Sequence, residues 1–411
     1  MKKRLRQIFI VIATILCVFL IMSLVQYTRM PLYNFPAPEK FHGDSWYNPY
    51  QHADGTWYKS NFHAHSVSWL GMTDGRNHAA EVHNHYKQLG YDIIGISDYQ
   101  HIDKLRTKDD NFIPVYEHGF NVSKCHHVVI GAKRVEWQDY VFFQSRHHKQ
   151  HILDELSKNS EFVAIAHPLF CNGYDSTDMA ALTHYNAIEV LNHYRKSVSL
   201  WDDALSAGRP VWIIGDDDTH KISDPGQTGV CWTMVMAASP RQDDVIAALK
   251  QGRMFGVEGK HAIVDNTVLS VSVQHNQLRI ECDKPADQIR FIGQFGALLK
   301  TVDHDSIAVY SLQDSDTYIR TEIQNAQTTF YLNPILRCQN GEPQIVAASV
   351  NQMATWIMRG GAILIVIMVS YLVQLISLYR KTGAKLIEID MSILQLPLLK
   401  QKKYSTDIEA S

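Results

Sequence analysis

Residues 57–66 read WYKSNFHAHS, a short strand-like run followed at once by two histidines, His63 and His65. In an extended chain, side chains two positions apart point to the same side. The two imidazoles can therefore face a single point, as two ligands of one metal ion must. A core strand has no structural need for a histidine pair at its end. This stretch predicts a fold that places metal ligands where strands end.

The same arrangement recurs along the chain. Four more apolar runs are followed by metal-binding residue types and one is preceded by such a residue: Asp98 after GIS, Glu117 after PVY, His167 after AIA, the sequence DDDTH (216–220) after WIIG, and His126 before HVVIG. In α/β barrels the carboxyl ends of the strands meet at one mouth, where active sites form. The chain also contains 21 histidines, and histidine is the commonest metal ligand. We therefore expect one metal site built from several strand ends.

The apolar runs are short, rich in valine and isoleucine, and nearly continuous, as is typical of strands buried on both faces. Helical patterns at 77–89, 146–158 and 198–207 separate several of them. Residues 57–260 are therefore predicted to form an α/β barrel or a doubly wound sheet. Alternating apolar and polar segments with frequent turns follow at 261–345, and they predict a small antiparallel β-sandwich.

Two uncharged apolar runs, 8–25 and 360–378, are each long enough to cross a bilayer as a helix. Basic residues flank the outer end of both runs, so both termini are expected in the cytoplasm and the domain between them outside it. The predicted organisation is a transmembrane anchor at 1–26, an irregular stalk at 27–56, a C-terminal transmembrane helix at 355–379 and a cytoplasmic tail at 380–411. A cleaved signal peptide is the competing interpretation of the first run.

Charge and cysteine content exclude some classes of protein. The 39 Lys+Arg and 42 Asp+Glu leave a formal net charge of -3, which gives no electrostatic reason to expect a nucleic-acid partner. The six cysteines form no CxxC pair. This rules out a cysteine-based zinc ribbon and a thioredoxin-like redox motif.

Taken in order, the motifs of residues 57–256 resemble those of the PHP (polymerase and histidinol phosphatase) superfamily of metal-dependent phosphoesterases. The matching pieces are NFHAHS at 61–66, TDG at 73–75, GISD at 95–98, YEHG at 116–119, HHVVIG at 126–131, IAHP at 165–168 and DDTH at 217–220. An HxH pair alone is a weak signal, whereas the ordered set is specific. The resemblance implies the PHP fold, a distorted (β/α)7 TIM-like barrel, with two or three bound divalent ions.

By position, the resemblance also assigns the metal ligands. They are His63, His65 and Asp218 for one ion, Glu117 as the bridge, His126 and His167 for a second ion, and Asp74 with His220 for a third position. Mixed imidazole and carboxylate ligands suit zinc, manganese or iron. Two alternatives stay open. Glu136 also follows a strand and can replace Glu117, and His127 can replace His126.

The chain departs from the family pattern after GISD, where relatives usually have histidine and this sequence has Tyr99. A phenol of pKa about 10 seldom ionises to bind a metal near neutral pH, and His101 lies two residues further along. We therefore expect two tightly bound ions, with a substrate oxygen or water at the third position. Tyr99 would donate a hydrogen bond to a phosphate oxygen or to Asp74, while Asp98 would orient a ligand histidine. His220 would give a proton to the leaving oxygen.

The predicted function is hydrolysis of phosphodiesters or phosphomonoesters by a metal-activated water, with no covalent enzyme intermediate. Arg195 and Arg253 can clamp phosphate oxygens, although both can equally be solvated surface charges. Lipid headgroups, envelope polymers and small phosphoesters are all within reach of a membrane-anchored domain. Two alternatives remain: a metal-dependent hydrolase of a non-phosphate ester or amide, and a PHP-fold binding protein without turnover.

Overall fold

The computed structural model describes residues 2–51 and 55–382. Within these residues the α-helices are α1 (Lys2–Arg29), α2 (Ala79–Gln88), α3 (Arg146–Lys158), α4 (Ser176–Ala181), α5 (Val198–Ser206), α6 (Gln242–Lys250) and α7 (Gln352–Thr382). The strands are β1 (Tyr33–Asn34), β2 (Ser45–Tyr47), β3 (Thr56–Asn61), β4 (Ile93–Ile94), β5 (Val115–His118), β6 (His127–Ile130), β7 (Phe162–Ile165), β8 (Ala187–Leu191), β9 (Trp212–Gly215), β10 (Cys231–Ala237), β11 (Met254–Glu258), β12 (Val268–Gln274), β13 (Gln277–Ile292), β14 (Leu298–Ser311), β15 (Tyr318–Gln324), β16 (Thr329–Cys338) and β17 (Ser349–Val350). Short 3-10 turns are formed by Trp69–Gly71, Phe170–Asn172 and Gln294–Gly296.

The strands are arranged in two large sheets and one small pair. The larger sheet has the order β12-β13-β15-β16-β11-β10-β3-β4, with β14 beside β13 and β2 beside β16, and the second has the order β5-β6-β7-β8-β9. Two isolated parallel bridges, Ala64 with Thr219 and Tyr99 with Glu117, connect the two sheets. The fold is therefore mixed α/β, as predicted, with a curled half-barrel of strands.

A regular (β/α)7 barrel is not confirmed, because β5, β6 and β7 pair antiparallel. Only residues 119–126 separate β5 from β6, and a parallel connection needs a dozen or more residues. So short a connection leaves a hairpin as the available pairing. Parallel pairing is found between β3 and β4 and along β7, β8 and β9.

The central strands are buried on both faces, which explains their continuous apolar sequences. Every residue of β7 (FVAI), β8 (AIEVL) and β9 (WIIG) is buried. Helix α3 contacts β7 and α5 contacts β8, each through one apolar face. The buried residues of these two faces include Ile152, Leu153, Leu156, Leu200, Trp201 and Leu205. Full burial of such a side chain contributes roughly 1.5–3 kcal/mol, so this core fixes the strand ends from which the candidate ligands extend.

The antiparallel strands predicted at 261–345 are present as β12 to β16. Within the described chain they continue the larger sheet instead of forming a separate sandwich, because β16 pairs with β11, with Phe255 opposite Leu332. The segment predicted as an irregular stalk also belongs to the fold, since β1 pairs with β17 and β2 with β16. Its residues Met30, Tyr33 and Tyr50 are buried, and burial stabilises apolar side chains that a solvated linker would expose.

Two helices are long and apolar enough to cross a membrane, over Lys3–Arg29 and Gln352–Arg380. They correspond to α1 and α7 and lie where the sequence predicts spans. The chain divides after Thr355 into two units, so most of α7 belongs to the second unit. The predicted tail lies outside the described residues from position 383 onward, as do residues 52–54 of the predicted stalk.

Candidate metal centre

Six of the predicted ligands come together in one buried cluster. They extend from the ends of β3, β5, β7 and β9 and from the residue before β6, and they are His63, His65, Glu117, His126, His167 and Asp218. Each of these residues is at most 3% exposed. Ligands that are far apart in the sequence therefore meet where the strands end.

Glu117 lies at the centre of the cluster, with each carboxylate oxygen facing a different pair of imidazoles. Oε2 is 3.4 Å from Nε2 of His63 and 3.1 Å from Nε2 of His65. Oε1 is 2.6 Å from Nδ1 of His126 and 3.1 Å from Nε2 of His167. One carboxylate thus stands between two sets of nitrogen donors.

Asp218 is a second carboxylate that contacts both His63 and His65. Its Oδ1 is 3.2 Å from Nε2 of each of these two histidines, and its Oδ2 is 4.0 Å from Nε2 of His167. His63, His65 and Asp218 offer three ligand atoms within 4.8 Å of one another, as do His63, Glu117 and His167. Asp218 and His167 have positive φ angles, 50° and 28°. Such strained backbone persists where the surrounding structure fixes it, and it is common at functional sites.

Nδ1 of His167 has no hydrogen-bond partner among the described residues, and neither have two atoms that face each other at 3.4 Å, Nε2 of His63 and Oε2 of Glu117. An unpaired buried polar atom costs about 1–3 kcal/mol, and a cation between these two atoms satisfies both. Imidazole nitrogen and carboxylate oxygen are also donors that zinc, manganese and iron accept. The residues present therefore fit divalent metal ions.

The electrostatics of the cluster also favour added positive charge. Burial lowers the pKa of His65, but the adjacent carboxylates of Asp218 and Glu117 outweigh burial and raise the pKa to about 9. Burial raises the pKa of Glu117, but the charges of His126 and His63 outweigh burial and hold the pKa well below its usual range. The carboxylates thus stay ionised and attract compensating charge, which protonated imidazoles or bound cations can supply.

Glu189 is a further residue of the site, and the sequence patterns above do not single it out. It lies in β8 and is fully buried, with Oε1 2.9 Å from Nδ1 of His63. Its Oε2 accepts a hydrogen bond of 2.7 Å from the backbone N–H of His167. When Nδ1 of His63 donates to this carboxylate, Nε2 carries the lone pair that faces the cluster. The sequence does contain a signal for Glu189, because it is the one charged residue in the apolar run AIEVL. A buried carboxylate needs polar or charged partners.

The predicted third position is a rim group formed by Asp74, Tyr99 and His220 beside the cluster. Nε2 of His220 lies 3.2 Å from Oδ1 of Asp74 and 3.4 Å from the Tyr99 hydroxyl. The His65 ring stacks on both Tyr99 and His220, with centroid distances of 4.4 Å. The Asp74 side chain is 56% exposed, so the rim group opens to solvent. The Tyr99 hydroxyl faces His220, whereas the sequence predicted a hydrogen bond from it to Asp74 or to a phosphate oxygen.

The alternatives that the sequence left open occupy different places. The carboxylate of Glu136 accepts hydrogen bonds from two backbone N–H groups of its own loop, and Glu117 is the carboxylate in the cluster. His127 is directed toward Tyr174, with Nε2 2.8 Å from the tyrosine hydroxyl, and His126 contacts Glu117. His101 is exposed.

The carboxylate of Asp98 contacts Ser66, whereas the prediction directed it to a ligand histidine. Its two carboxylate oxygens accept hydrogen bonds of 2.6 Å from the backbone N–H and the hydroxyl of Ser66. Asp98 therefore fixes the chain just after the HxH pair, and the carboxylate in contact with a candidate ligand imidazole is Glu189. Arg195 is exposed on the loop after β8, at the carboxyl end of that strand.

Arg253 does not lie near the cluster, which corrects its predicted role as a phosphate clamp. Its backbone oxygen accepts a hydrogen bond from Met236, and Met236 pairs with Trp57 at the start of β3. His63 follows the opposite end of β3, about 20 Å away at roughly 3.3 Å per residue. The sequence identifies a basic residue beside a strand but does not say at which end of the sheet it lies.

The fold and the cluster together define a mixed α/β protein with a candidate divalent-metal centre at its strand ends. No protein-family model matches the chain, and no curated protein matches it. A solved structure is similar to it: a two-domain protein from Bacteroides vulgatus ATCC 8482 that contains a predicted PHP-like metal-dependent phosphoesterase. The two chains are 14% identical with a TM-score of 0.39, and the match covers 77% of this chain and 99% of that chain.

Proposed function

We propose that this chain is a membrane-anchored, metal-dependent phosphoesterase of the PHP type. The observation that carries the proposal is the position of Glu117, whose two oxygens face two different pairs of imidazoles. One carboxylate oxygen is thus available to each of two ions. A pair of ions held close together is the arrangement used by many phosphatases and nucleases.

The proposed ligands are His63, His65 and Asp218 for one ion, His126 and His167 for the other, and Glu117 between them. Divalent zinc, manganese or iron, when bound, supplies positive charge for the phosphate oxygens and activates water as a nucleophile. Glu189 orients His63 so that its Nε2 stays directed at the cluster. Asp98 holds the chain that follows the HxH pair in place through Ser66.

The rim group is proposed to bind the substrate and to protonate its leaving oxygen. The Tyr99 hydroxyl can donate a hydrogen bond to a phosphate oxygen, because the phenol keeps its proton. His220 lies 3.2 Å from Asp74 and, when protonated, can give a proton to the leaving oxygen. Arg195 is proposed to bind phosphate from the exposed loop after β8.

We further infer a distorted seven-stranded barrel in which the bridges of Ala64 with Thr219 and Tyr99 with Glu117 join the two sheets. The length and apolar composition of α1 and α7 support two membrane spans. In this proposal both termini are cytoplasmic and the metal centre lies outside. Phosphate esters of lipid headgroups or envelope polymers are then substrates within reach.

The test uses the purified full-length chain, stripped with a chelator and reloaded with manganese, zinc or iron. Chromogenic phosphomonoesters, phosphodiesters and carboxylesters are compared as substrates, with Glu117→Gln as the inactive variant and Glu136→Gln as the matched control. We expect metal-dependent hydrolysis of a phosphoester that is lost in Glu117→Gln and kept in Glu136→Gln. Hydrolysis of the carboxylester alone would identify a different esterase, and bound metal without turnover of any substrate would identify a binding protein.

A further inference from the structure

Two loops, of which one adjoins the candidate metal centre, expose apolar side chains that the fold does not bury. The first loop connects β5 to β6 and carries Phe120 and Val122, which are 44% and 66% exposed. The second loop precedes α3 and carries Phe142 and Phe143, which are 41% and 61% exposed. These four side chains are called the loop patch. An exposed group of large apolar side chains usually marks a contact surface.

The loops are well fixed by hydrogen bonds, so their outward side chains do not reflect missing structure. Oδ2 of the fully buried Asp139 accepts hydrogen bonds from the backbone N–H of Phe120 at 2.7 Å and from the Asn121 side chain at 3.2 Å. The backbone N–H of Val122 donates to the carbonyl of Val141 at 2.9 Å. The two loops therefore hold each other in place, and the fold directs the loop patch outward.

The loop patch lies against the end of α1. The Tyr27 hydroxyl accepts hydrogen bonds from the backbone N–H groups of Phe142 and Phe143 at 3.0 and 2.9 Å. The rings of Tyr27 and Phe143 are 4.8 Å apart. A groove of about 450 Å³ continues this contact along α1, and its apolar lining residues include Phe19, Ile21, Met22, Val25, Phe120 and Val141.

We propose that the loop patch inserts into the bilayer beside α1, so that lipid acyl chains cover it. This inference rests on α1 being a membrane span, as in the proposed function. Tyrosine is enriched where a span leaves the membrane, so the contacts of Tyr27 put Phe142 and Phe143 at the membrane–water interface. Phe120 borders the groove, whose lining along α1 extends from Phe19 to Arg29, and it therefore lies beside the same span.

The first loop also links the loop patch to the metal cluster. Glu117 precedes the first residue of this loop by two positions, and His126 is its last residue. The loop passes close to the ligand ring, since a Cβ on Gly119 would be 2.4 Å from Cδ2 of His126. Insertion of the loop patch would therefore hold the candidate centre at the membrane surface, where phosphate esters of lipids are presented.

The test measures the depth of individual positions in the full-length chain reconstituted into phosphatidylcholine vesicles. A fluorophore is attached at Phe120→Cys, Phe143→Cys or Val122→Cys after the exposed Cys17 and Cys171 are changed to serine. Phe295→Cys is the matched control, because Phe295 is 71% exposed on the turn between β13 and β14. A separate sample with Cys17 restored as the labelled residue reports the position of α1 itself. Each label is exposed to lipid-attached nitroxide and to aqueous iodide as quenchers.

We expect nitroxide quenching at positions 120, 122 and 143 that is several-fold stronger than at 295, together with protection from iodide. If the patch labels behave like the label at 295 while Cys17 is quenched by nitroxide, α1 is an anchor and the loop-patch proposal is wrong. If Cys17 is reached only by iodide, α1 does not span the bilayer, and the membrane anchoring and the loop-patch proposal both fail. Val122→Cys keeps the test available if a phenylalanine substitution prevents folding.

Discussion

Nδ1 of His63 lies 2.9 Å from Oε1 of Glu189, and this contact fixes which ring nitrogen faces the candidate metal centre. The second oxygen of the same carboxylate accepts the backbone N–H of His167 at 2.7 Å. One residue of β8 thus positions two candidate ligands, which follow β3 and β7. Outer partners of this kind affect metal affinity strongly, because they set the orientation and tautomer of the ligand ring.

We predict that Glu189→Gln lowers metal affinity about 10–100-fold. The amide carries no charge, and its NH2 group cannot accept the hydrogen bonds that both carboxylate oxygens accept now. Competition with a chelating dye at neutral pH measures the change. Glu136→Gln, which alters a carboxylate outside the cluster, should leave affinity unchanged. Equal affinity in the wild type and in Glu189→Gln would show that this contact does not support a metal ligand.

A second prediction separates the adjacent histidines 126 and 127. His126→Asn should remove one metal equivalent and the activity, because Nδ1 of His126 contacts Glu117 in the cluster. His127→Asn should keep the metal but lose about 1–3 kcal/mol of stability, since the Tyr174 hydroxyl loses its buried partner. Elemental analysis and thermal unfolding of both variants measure these effects. If only His127→Asn lost metal, His127 would be the ligand and His126 the structural residue, and the prediction would be wrong.

The fold could be predicted in part because apolar runs are visible in the sequence while their pairing is not. The runs of β7, β8 and β9 are continuous and apolar, and they are buried strands. An apolar run does not reveal, however, whether a strand is parallel or antiparallel to its neighbour. The short connection between β5 and β6 makes that pair antiparallel. The contact of β16 with β11 joins segments about 70 residues apart, and no local pattern encodes it.

The site could be predicted where a polar residue interrupts or ends an apolar run. His63, Glu117 and His167 stand out for this reason, and all three reach the cluster. Asp98 stands out equally, but its side chain contacts Ser66. The spacing of residues in the sequence does not determine the rotamer of a side chain. Arg253 shows a second limit of the sequence. A position next to a strand does not reveal whether the residue lies at the end of the sheet that carries the candidate site or at the opposite end.

A third prediction concerns stability in acid and depends on His148 of α3. Burial, followed by the charges of His147 and His151, lowers the pKa of His148 to about 4. Its ring packs against those of Tyr140 and Tyr27, with centroid distances of 4.2 and 5.0 Å. The unfolded chain takes up this proton near pH 6.5. Between pH 6.5 and about 4 the unfolded state therefore binds more protons, and stability falls as the pH falls.

The expected loss from His148 across this pH window is about 1–2 kcal/mol, which allows for screening by solvent. Unfolding midpoints between pH 4.5 and 7.5 measure it, and His148→Gln should reduce the slope. His184→Gln is the control of opposite sign. A hydrogen bond with Asp154 raises the pKa of His184, so its stabilisation is complete below pH 6.5 and disappears as the pH rises through the folded pKa. An unchanged acid slope in His148→Gln would contradict the prediction.

The last prediction is that the chain holds two metal ions and that Tyr99→His adds a third. Burial, followed by the charges of Glu117 and Asp218, raises the pKa of Tyr99 above its ordinary value. The neutral phenol is therefore favoured near pH 7, and we expect it to donate a hydrogen bond instead of binding a metal as an anion. A histidine at this position would add a neutral nitrogen beside His220 and Asp74, whose Nε2 and Oδ1 lie 3.2 Å apart.

Elemental analysis after dialysis should find two equivalents of metal in the wild type and three in Tyr99→His. Tyr99→Phe should keep two equivalents and lower kcat about tenfold, as expected for one lost hydrogen bond. Three equivalents in the wild type and two in Tyr99→Phe would identify the phenolate as a ligand and contradict the prediction.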